Sequence, residues 1–369
     1  MSEKLEFVRL VLAEDMPVSV LCRRFGIGRT CAYKLIGRYR VEGEAGLVER
    51  SRRPHASPGK SPAALEAAAV AIRQAHPAWG GRKIAKVLER KGWPAPSPST
   101  VTGILRRNGI ELGRQGGGAS PFIRFEHAAP NDLWQMDFKG NVAMRRGRLH
   151  PLTVLDDHSR FSVALEACPD QTAHTVKERL IKAFRRYGLP GCIAVDNGPP
   201  WGDGGRGDGF TGLTVWLIEQ QIVVSHSRPL HPQTLGKDER FHRTLKAEAM
   251  AGTPFEGIAQ AQHAFDAFRH VYNAERPHEA LGGGVPITRY RPSPRDFKDR
   301  TEPFDYTGQD IVRRVQNGGQ IAAFGRKLRI GRAFAGKLIA LRPTAKDGFF
   351  EAFFRHQKIT SFDLNRKAP

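Results

Sequence analysis

Cysteine is scarce in this sequence, because its 369 residues contain only Cys22, Cys31, Cys168 and Cys192. They form no CxxC pair and have no histidine at zinc-finger spacing, which argues against a cysteine-based metal site and favours reduced, mostly buried thiols. Apolar runs long enough to cross a membrane are also missing, and the opening residues MSEKLEF do not resemble a signal peptide. The sequence therefore predicts a cytoplasmic protein with no membrane partner.

Acidic residues are too few to balance the basic ones. The 37 Asp and Glu residues face 58 Lys and Arg residues, which gives a formal net charge of +21. The surplus is uneven, with net charges of +12 for residues 1–125, −1 for 126–288 and +10 for 289–369. Such a balance suits a phosphate polymer as partner. We expect the two flanks to bind it, in a chain long enough for about two to four domains.

Three acidic residues stand at the boundaries of different predicted elements. Asp137 in LWQMDF and Asp196 in CIAVDNG each close a short apolar run typical of a strand. A parallel α/β sheet presents catalytic groups at such strand ends. Glu239 lies at the start of the predicted helix GKDERFHRTLK. Carboxylates are the ligands that Mg²⁺ prefers, so the three residues are candidates for a two-metal phosphoryl-transfer site.

The helix that contains Glu239 has a second candidate acid, Asp238. Adjacent helix positions point about 100° apart, so only one of the two can face the strand ends. The spacing of Phe241 and Leu245 predicts that they face the core. This would place the following residues on a shared polar face: Glu239, His242, Arg243 and Lys246.

Asp156 and Asp157 in LDDHSR form another acidic motif. Adjacent acids that follow an apolar run are typical of a turn. We therefore favour a structural role, in which the pair positions His158 and Arg160, over metal binding.

The N-terminal residues have the pattern of a helix-turn-helix. Residues 3–14 have helical spacing, and PVSVLCRRFGIGRTCAYKLIGRYR predicts a helix, a turn at Gly26 and a second helix. The expected core is Val18, Leu21, Phe25, Ile27, Ala32, Leu35 and Ile36. The expected major-groove face is Arg29, Thr30, Tyr33, Lys34 and Arg38. A small helical bundle with a merely solvated basic face is the alternative for residues 1–50.

A second helical module is predicted over residues 62–112. The basic linker 51–61 precedes it, and Arg52 and Arg53 in that linker could follow a phosphate backbone. Ser97 and Pro98 form a good start for the last helix of the module. Its expected DNA contacts are Arg82, Lys83, Arg106 and Arg107. The segment RQGGGAS then marks a joint within residues 113–126.

The rest of the chain predicts an α/β domain followed by short strands. Residues 127–295 alternate strand-like runs, LWQMDF, LTVLDD, RFSVALEA and CIAVD, with a helix over 172–187. Short runs separated by Gly, Pro or charged turns over residues 305–369 predict a small basic β-barrel. On the residues alone, that barrel could contact DNA or brace a multimer.

Six motifs in order, WQMDF, LDDHSR, DNGPP, HPQT, GKDERFHRTLK and YNAERPHEAL, resemble the integrase-type core of bacterial insertion-sequence transposases, within the DDE superfamily. The resemblance spans about residues 125–295, and weaker flanks extend it. It implies a ribonuclease H-like core with a mixed five-stranded sheet, and it selects Asp137, Asp196 and Glu239 as catalytic residues and metal ligands. The 42 residues between Asp196 and Glu239 exceed the usual spacing, and WGDGGRGDGF at 201–210 looks like an insertion.

The resemblance also implies a function. A transposase binds the ends of its mobile element, hydrolyses phosphodiester bonds and transfers the strand to target DNA, with two Mg²⁺ ions that Mn²⁺ can replace and with no small-molecule cofactor. The implied partners are double-stranded DNA and further copies of the chain, in the nucleoid of a bacterial cell. Four basic residues of the Glu239 helix join the expected DNA contacts: Lys237, Arg240, Arg243 and Lys246.

Other functions fit the residues less well. An inactive, transposase-derived DNA-binding regulator would not need the three intact acids. A metal-dependent nuclease of the same fold would not need two recognition modules. A tyrosine recombinase would need a nucleophile surrounded by arginines, and the six tyrosines show no such cluster.

Overall fold

The computed structural model describes residues 3–51, 59–111, 126–202, 209–226, 236–252 and 254–366. The expected linker contacts Arg52 and Arg53 lie outside these residues, as do most of the joint at 113–126 and the middle of the stretch 201–210. The chain divides into two compact units, Met1–Lys60 and Ser61–Pro369.

The first unit is a helix-turn-helix of three helices, α1 Glu3–Leu12, α2 Val18–Arg24 and α3 Arg29–Glu42. Gly26 adopts a φ of +64° in the turn between α2 and α3, a left-handed conformation that glycine tolerates best. Expected core residues Val18, Phe25 and Ile27 lie at the edge of the core. Its buried residues are Phe7, Val8, Leu21, Cys22, Ala32, Leu35, Ile36 and Leu47.

The second unit begins with another helical module, α4 Ala63–Ala75, α5 Gly81–Arg90 and α6 Pro98–Arg107. The Ser97 side chain accepts a hydrogen bond from the Thr100 backbone N–H at 3.1 Å and caps α6 as expected. Apolar residues of all three helices meet in one core, which includes Ile72, Leu88 and Ile104.

A mixed sheet forms the centre of the second unit. Its strands are β1 Leu133–Phe138, β2 Val142–Ala143, β3 Arg148–Asp156, β4 Ser162–Cys168, β5 Cys192–Val195 and β6 Val223–His226. The main order is β4-β3-β1-β5-β6, and the two-residue β2 pairs with the start of β3. The β4–β3 and β3–β1 pairs are antiparallel, whereas β1–β5 and β5–β6 are parallel. The five principal strands agree with the expected ribonuclease H-like core.

Helices cover both faces of this sheet. They are α7 Ala173–Tyr187, α8 Gly212–Glu219, α9 Gly236–Ala249 and α10 Ile258–Ala274. Alternate residues of β3 point to opposite faces. Leu152 and Val154 share a core with α7 and α8, and Leu149 and Leu155 share the other with α9 and α10.

The C-terminal strands form an open arrangement instead of the expected closed barrel. They are β7 Ile311–Arg314, β8 Gln320–Ala323, β9 Arg326–Arg329, β10 Leu338–Pro343, β11 Phe349–Phe354 and β12 Gln357–Asp363. Within the described chain, β12-β11-β10-β7 is one antiparallel sheet and β8-β9 a separate hairpin. The strands of the hairpin are short. Beyond them, the carbonyl of Gly319 accepts hydrogen bonds from the backbone N–H groups of both Ile330 and Gly331, so the regular ladder of the hairpin ends there.

The C-terminal strands pack against the central domain. Phe334 and Phe354 belong to the same hydrophobic core as Val224 of β6. The side chain of Gln357 accepts from the backbone N–H of Val224 at 3.1 Å and donates to its carbonyl at 3.2 Å. The C-terminal strands therefore pack against the edge of the central sheet that β6 forms. Along the described chain, no helix is both long and apolar enough to cross a membrane.

Candidate active site

Two of the three candidate acids lie side by side at the ends of adjacent strands. The parallel pairing of β1 with β5 places Gln135 opposite Ala194. Asp137 and Asp196 each lie two residues further along. The carboxyl ends of both strands meet at one edge of the sheet, so the two aspartates face the same space.

Burial and charge make this edge suited to a cation. Burial, reinforced by the nearby charge of Asp196, raises the pKa of Asp137 to about 6, although the Phe138 backbone N–H, 2.7 Å from Oδ1, opposes the shift. Asp196 accepts a hydrogen bond from the Gly198 backbone N–H at 3.0 Å. Two close carboxylates repel each other, and a bound divalent cation would relieve that repulsion.

Helix α9 lies against β1 and β3 through its buried face. Nε2 of His242 lies 2.8 Å from the Thr153 hydroxyl, which itself donates to the Asp137 carbonyl at 2.9 Å. The hydroxyl has a single proton, so His242 must be the donor. Burial lowers the pKa of His242 to about 4, so the ring is neutral at pH 7. The expectation that His242 shares a polar face with Glu239 is wrong, because His242 is buried beside Phe241.

The two neighbouring acids of α9 have different surroundings. Asp238 is fully buried, and neither of its carboxylate oxygens has a hydrogen-bond partner in the described chain. Burial first, and then the charges of Asp137 and Asp157, raise its pKa well above the ordinary value. Glu239 is exposed. No three acidic, His or Cys residues of the described chain are grouped closely enough to hold a metal ion, so Glu239 does not join the aspartates here.

The carboxylates of Asp156 and Asp157 accept hydrogen bonds from neighbouring protein groups. Asp156 accepts from the Asn131 and Ser159 backbone N–H groups at 2.7 and 2.8 Å and from the Ser159 hydroxyl at 2.6 Å. Asp157 accepts from the Gln135 side chain and the His127 backbone N–H, both at 2.9 Å. Asp156 thus closes the turn after β3, the structural role that the sequence favoured.

Lys237 forms an ion pair that sequence reasoning did not find. Its Nζ binds the Asp157 carboxylate, and its side chain is only 20% exposed. Burial lowers the pKa of Lys237, while the bond to Asp157 opposes that effect. The other three expected α9 contacts, Arg240, Arg243 and Lys246, have exposed side chains.

Two of the four expected DNA contacts of the second module, Arg82 and Lys83, lie near residues of the central domain. Arg82 pairs with Glu279 at 3.3 Å, between two exposed side chains. Lys83 is partly buried, and desolvation, followed by the charge of Arg276, lowers its pKa. Arg106 is exposed, and Arg107 pairs with Glu66 of its own module at 2.5 Å.

A buried contact joins this module to α9. Nε1 of Trp79 donates to the Glu248 carboxylate at 3.2 Å, and Glu248 also accepts from Nε of Arg276 at 2.9 Å. Val271 of α10 packs against the core of the module. The sequence offered one signal for this docking, the contrast between a basic flank and a slightly acidic centre.

The first unit presents its expected recognition face to solvent. Arg29, Thr30, Tyr33 and Lys34 are exposed along α3, and Tyr33 is 61% exposed. Arg38, one turn further, is partly buried. A row of cationic, hydroxyl and aromatic groups on the second helix of a helix-turn-helix suits contacts in a DNA groove.

Five known domain families match consecutive parts of the chain. A helix-turn-helix domain matches residues 3–55 and a homeodomain-like domain 31–105. Integrase core domains match 127–232 and 220–286. The C-terminal domain of IS481 family transposases matches 310–369.

Individual proteins match the chain at low sequence identity. The insertion element IS476 uncharacterized 39.2 kDa protein of Xanthomonas euvesicatoria is 26% identical over 244 residues, which are 64% of this chain and 68% of that protein. The insertion element IS407 uncharacterized 31.7 kDa protein of Burkholderia multivorans (strain ATCC 17616 / 249) is 25% identical over 61% of this chain and 80% of that protein. A chain of the simian T-cell lymphotropic virus intasome, solved with PP2A regulatory subunit B56 gamma, aligns with 77% of this chain and 91% of its own at 12% identity and a TM-score of 0.39.

Proposed function

We propose that the chain is a bacterial insertion-sequence transposase of the DDE superfamily with an integrase-type core, and that Asp137, Asp196 and Glu239 are its catalytic carboxylates. One observation carries the assignment. The first two lie at adjacent parallel strand ends, where burial and mutual repulsion raise the pKa of Asp137 to about 6. Such a pair suits a site that binds a cation.

The enzyme depends on a divalent metal. Asp137 and Asp196 fit that requirement, because both offer hard carboxylate oxygens at one sheet edge. We propose two Mg²⁺ ions, replaceable by Mn²⁺, with Glu239 as the third protein ligand. When bound, such ions stabilise the charge on the attacking and leaving oxygens of a phosphodiester.

The chain's own residues hold α9 beside this site. The neutral His242 and the Thr153 hydroxyl bind α9 to the backbone of Asp137, which fixes the middle of the helix. Glu239 lies one turn earlier and is exposed to solvent. We propose that Glu239 joins the aspartates when DNA and metal are bound.

The reaction has two displacements at phosphorus. Water attacks a phosphodiester at the end of the element, and the leaving oxygen becomes a 3′-hydroxyl. This hydroxyl then attacks a target phosphate, forms the new strand bond and releases a 3′-hydroxyl of the target. Neither displacement needs a covalent bond to the protein.

We assign DNA recognition chiefly to the first unit. Side chains of α3 would read base edges at the element ends: Arg29, Thr30, Tyr33, Lys34 and Arg38. The linker residues Arg52 and Arg53, with Arg106, Arg240, Arg243 and Lys246, would hold phosphates, a contribution that salt weakens. Arg82, Arg107 and Lys237 form ion pairs with acidic side chains, and Lys83 is partly buried. Assembly of several copies on DNA would bring two element ends together.

Substitution of single acids tests this function. Asp137→Ala, Asp196→Ala and Glu239→Ala should each abolish Mg²⁺-dependent cleavage of DNA that contains the element ends, while the affinity for that DNA persists. Glu178→Ala, at a half-exposed acid on α7, is the matched control and should cleave like the wild type. Full activity of any of the three variants would remove that residue from the site.

A further inference from the structure

The ion pair between Lys237 and Asp157 connects the start of α9 to the strands that hold the candidate site. Asp157 directly follows β3, its side chain is 1% exposed, and Gln135 of β1 donates to it at 2.9 Å. Gln135 lies two residues before Asp137. Lys237 lies two residues before Glu239 and contacts both the carboxylate and the carbonyl of Asp157.

Helix geometry relates this contact to Glu239. Successive residues of an α-helix are rotated by about 100°, so Lys237 and Glu239 project on opposite sides of the buried Asp238. A bond that holds Lys237 therefore fixes the rotation of the first turn and with it the direction of Glu239. The hydrogen bond from His242 and the contact at Glu248 hold α9 further along its length.

We propose that Lys237 and Asp157 are positioning residues, whose ion pair sets the orientation of Glu239 toward the site of Asp137 and Asp196. The inference rests on the proposed catalytic role of Glu239. It replaces a role for Lys237 as a phosphate contact. Asp157 is the discriminating residue, because a buried carboxylate cannot touch DNA directly, yet its loss should reproduce the loss of Lys237.

Four single variants and one double variant of the full chain separate the two roles. Lys237→Met and Asp157→Asn each remove one charge of the pair, and the double variant removes both. Lys237→Arg keeps the charge. Lys182→Met is the matched control, since Lys182 is an exposed lysine of α7 without an assigned role.

The first readout does not require catalysis. Hydrogen exchange of the α9 segment, residues 236–249, should become faster in Lys237→Met and Asp157→Asn, and Lys237→Arg should largely restore protection. Lys182→Met should leave the exchange of α9 unchanged. DNA affinity and its salt dependence should stay at the wild-type values in Lys237→Met, whereas loss of a phosphate contact would lower the slope of log K against log salt by about one.

Cleavage supplies the second readout. The maximal cleavage rate at saturating Mg²⁺ should fall at least about tenfold in Lys237→Met and Asp157→Asn, as expected for a misplaced catalytic group. The double variant should lose no more than the worse single variant, because both changes break the same contact. Lys182→Met should keep the wild-type DNA affinity and the wild-type maximal rate.

The outcomes separate a failure of the positioning role from a failure of the proposed function. Weaker DNA binding in Lys237→Met, with unchanged exchange and a fully active Asp157→Asn, would overturn the positioning role. If wild-type protein did not cleave, the proposed function would fail, but exchange would still report whether the pair holds α9. Thermal unfolding identifies a variant that is globally unfolded. If Lys237→Met or Asp157→Asn is unfolded, the comparison of Lys237→Arg with Lys182→Met decides. Unprotected α9 and a slow maximal rate in Lys237→Arg would then contradict the proposal.

Discussion

Asp157 and Asp238 are both buried near the candidate site, yet their carboxylates have opposite surroundings. Asp157 accepts hydrogen bonds from Gln135, from the His127 backbone and from Lys237. Asp238 has no partner for either oxygen among the described residues. A buried polar group without partners costs about 1–3 kcal/mol of stability. Asp238 therefore weakens the fold locally, whereas Asp157 is integrated into it.

Replacing Asp238 by Val should raise the free energy of unfolding by about 1–3 kcal/mol, because the unsatisfied carboxyl is removed from the core. Cleavage should persist. Glu239→Gln should change stability by less than about 0.5 kcal/mol, as is usual for exposed positions, and abolish cleavage. Denaturant unfolding and a cleavage assay measure both effects. Loss of cleavage in Asp238→Val with an active Glu239→Gln would make Asp238 the third ligand.

The pKa of Asp137 predicts a pH dependence of stability. The folded-state value of about 6 lies above the ordinary 3.8, so the folded chain binds this proton more tightly than the unfolded chain does. Asp137 therefore costs stability as pH rises from about 4 to 6. Without metal at pH 7, Asp137→Asn should be more stable than the wild type by about 1–3 kcal/mol, with the difference fading toward pH 4. Unfolding curves at both pH values check this, and an equal difference at both would contradict it.

At the scale of elements, local sequence pattern predicted most of the fold. The helices around Gly26, the cap at Ser97 and the strands that lead to Asp137 and Asp196 all follow from spacing within a few residues. The resemblance added the choice of Glu239, and its role is still a prediction. The pairing of Lys237 with Asp157 joins residues 80 positions apart, and no local pattern specifies such a contact. The open C-terminal sheet was missed for the same reason, since strand closure depends on long-range pairing.

Local sequence pattern likewise did not predict the docking of the second module on α9 and α10. Its central contact is the hydrogen bond from Trp79 to Glu248, and Glu248 also pairs with Arg276 of its own domain, with side chains 11% and 8% exposed. Helix α9 is thus held near its start by Lys237 and near its end by Glu248, so the second module contributes to the support of the helix that contains Glu239.

Glu248→Ala should lower the free energy of unfolding by about 3 kcal/mol, because it leaves the Arg276 guanidinium nearly buried without its acid. Hydrogen exchange in α5 should also accelerate. Arg82→Ala is the matched control, since it breaks an exposed pair with Glu279 and should cost less than about 1 kcal/mol. Equal effects of the two variants would show that the buried contact does not hold the module.

At the scale of the whole molecule, the compact units divide the chain at Lys60 and Ser61. Each unit has its own hydrophobic core. The first contains the exposed α3 face, and the second contains the candidate acids, the docked module and the C-terminal strands. Removal of residues 1–60 should therefore leave a folded remainder.

A chain that begins at Ser61 should lose discrimination between element ends and random DNA, because the proposed base-reading side chains are gone. It should keep weak binding that falls steeply with salt, since phosphate contacts remain. Competition binding at two salt concentrations measures both properties. Preference for the ends that matches the full-length protein would move sequence recognition from the first unit to the second.

Two element ends must meet in one complex, so we expect DNA held by the first unit of one copy to be cut by the core of another. The first unit is a compact unit of its own, whereas the second module is packed onto the catalytic domain of the same chain. Full-length Asp137→Asn can hold ends without cutting them, and the chain that begins at Ser61 can cut without selecting ends. Mixed together, the two should cleave end-containing DNA at a rate that neither reaches alone. An inactive mixture, together with wild-type protein that cuts one end as a dilute monomer, would mean that each copy cuts the end it binds.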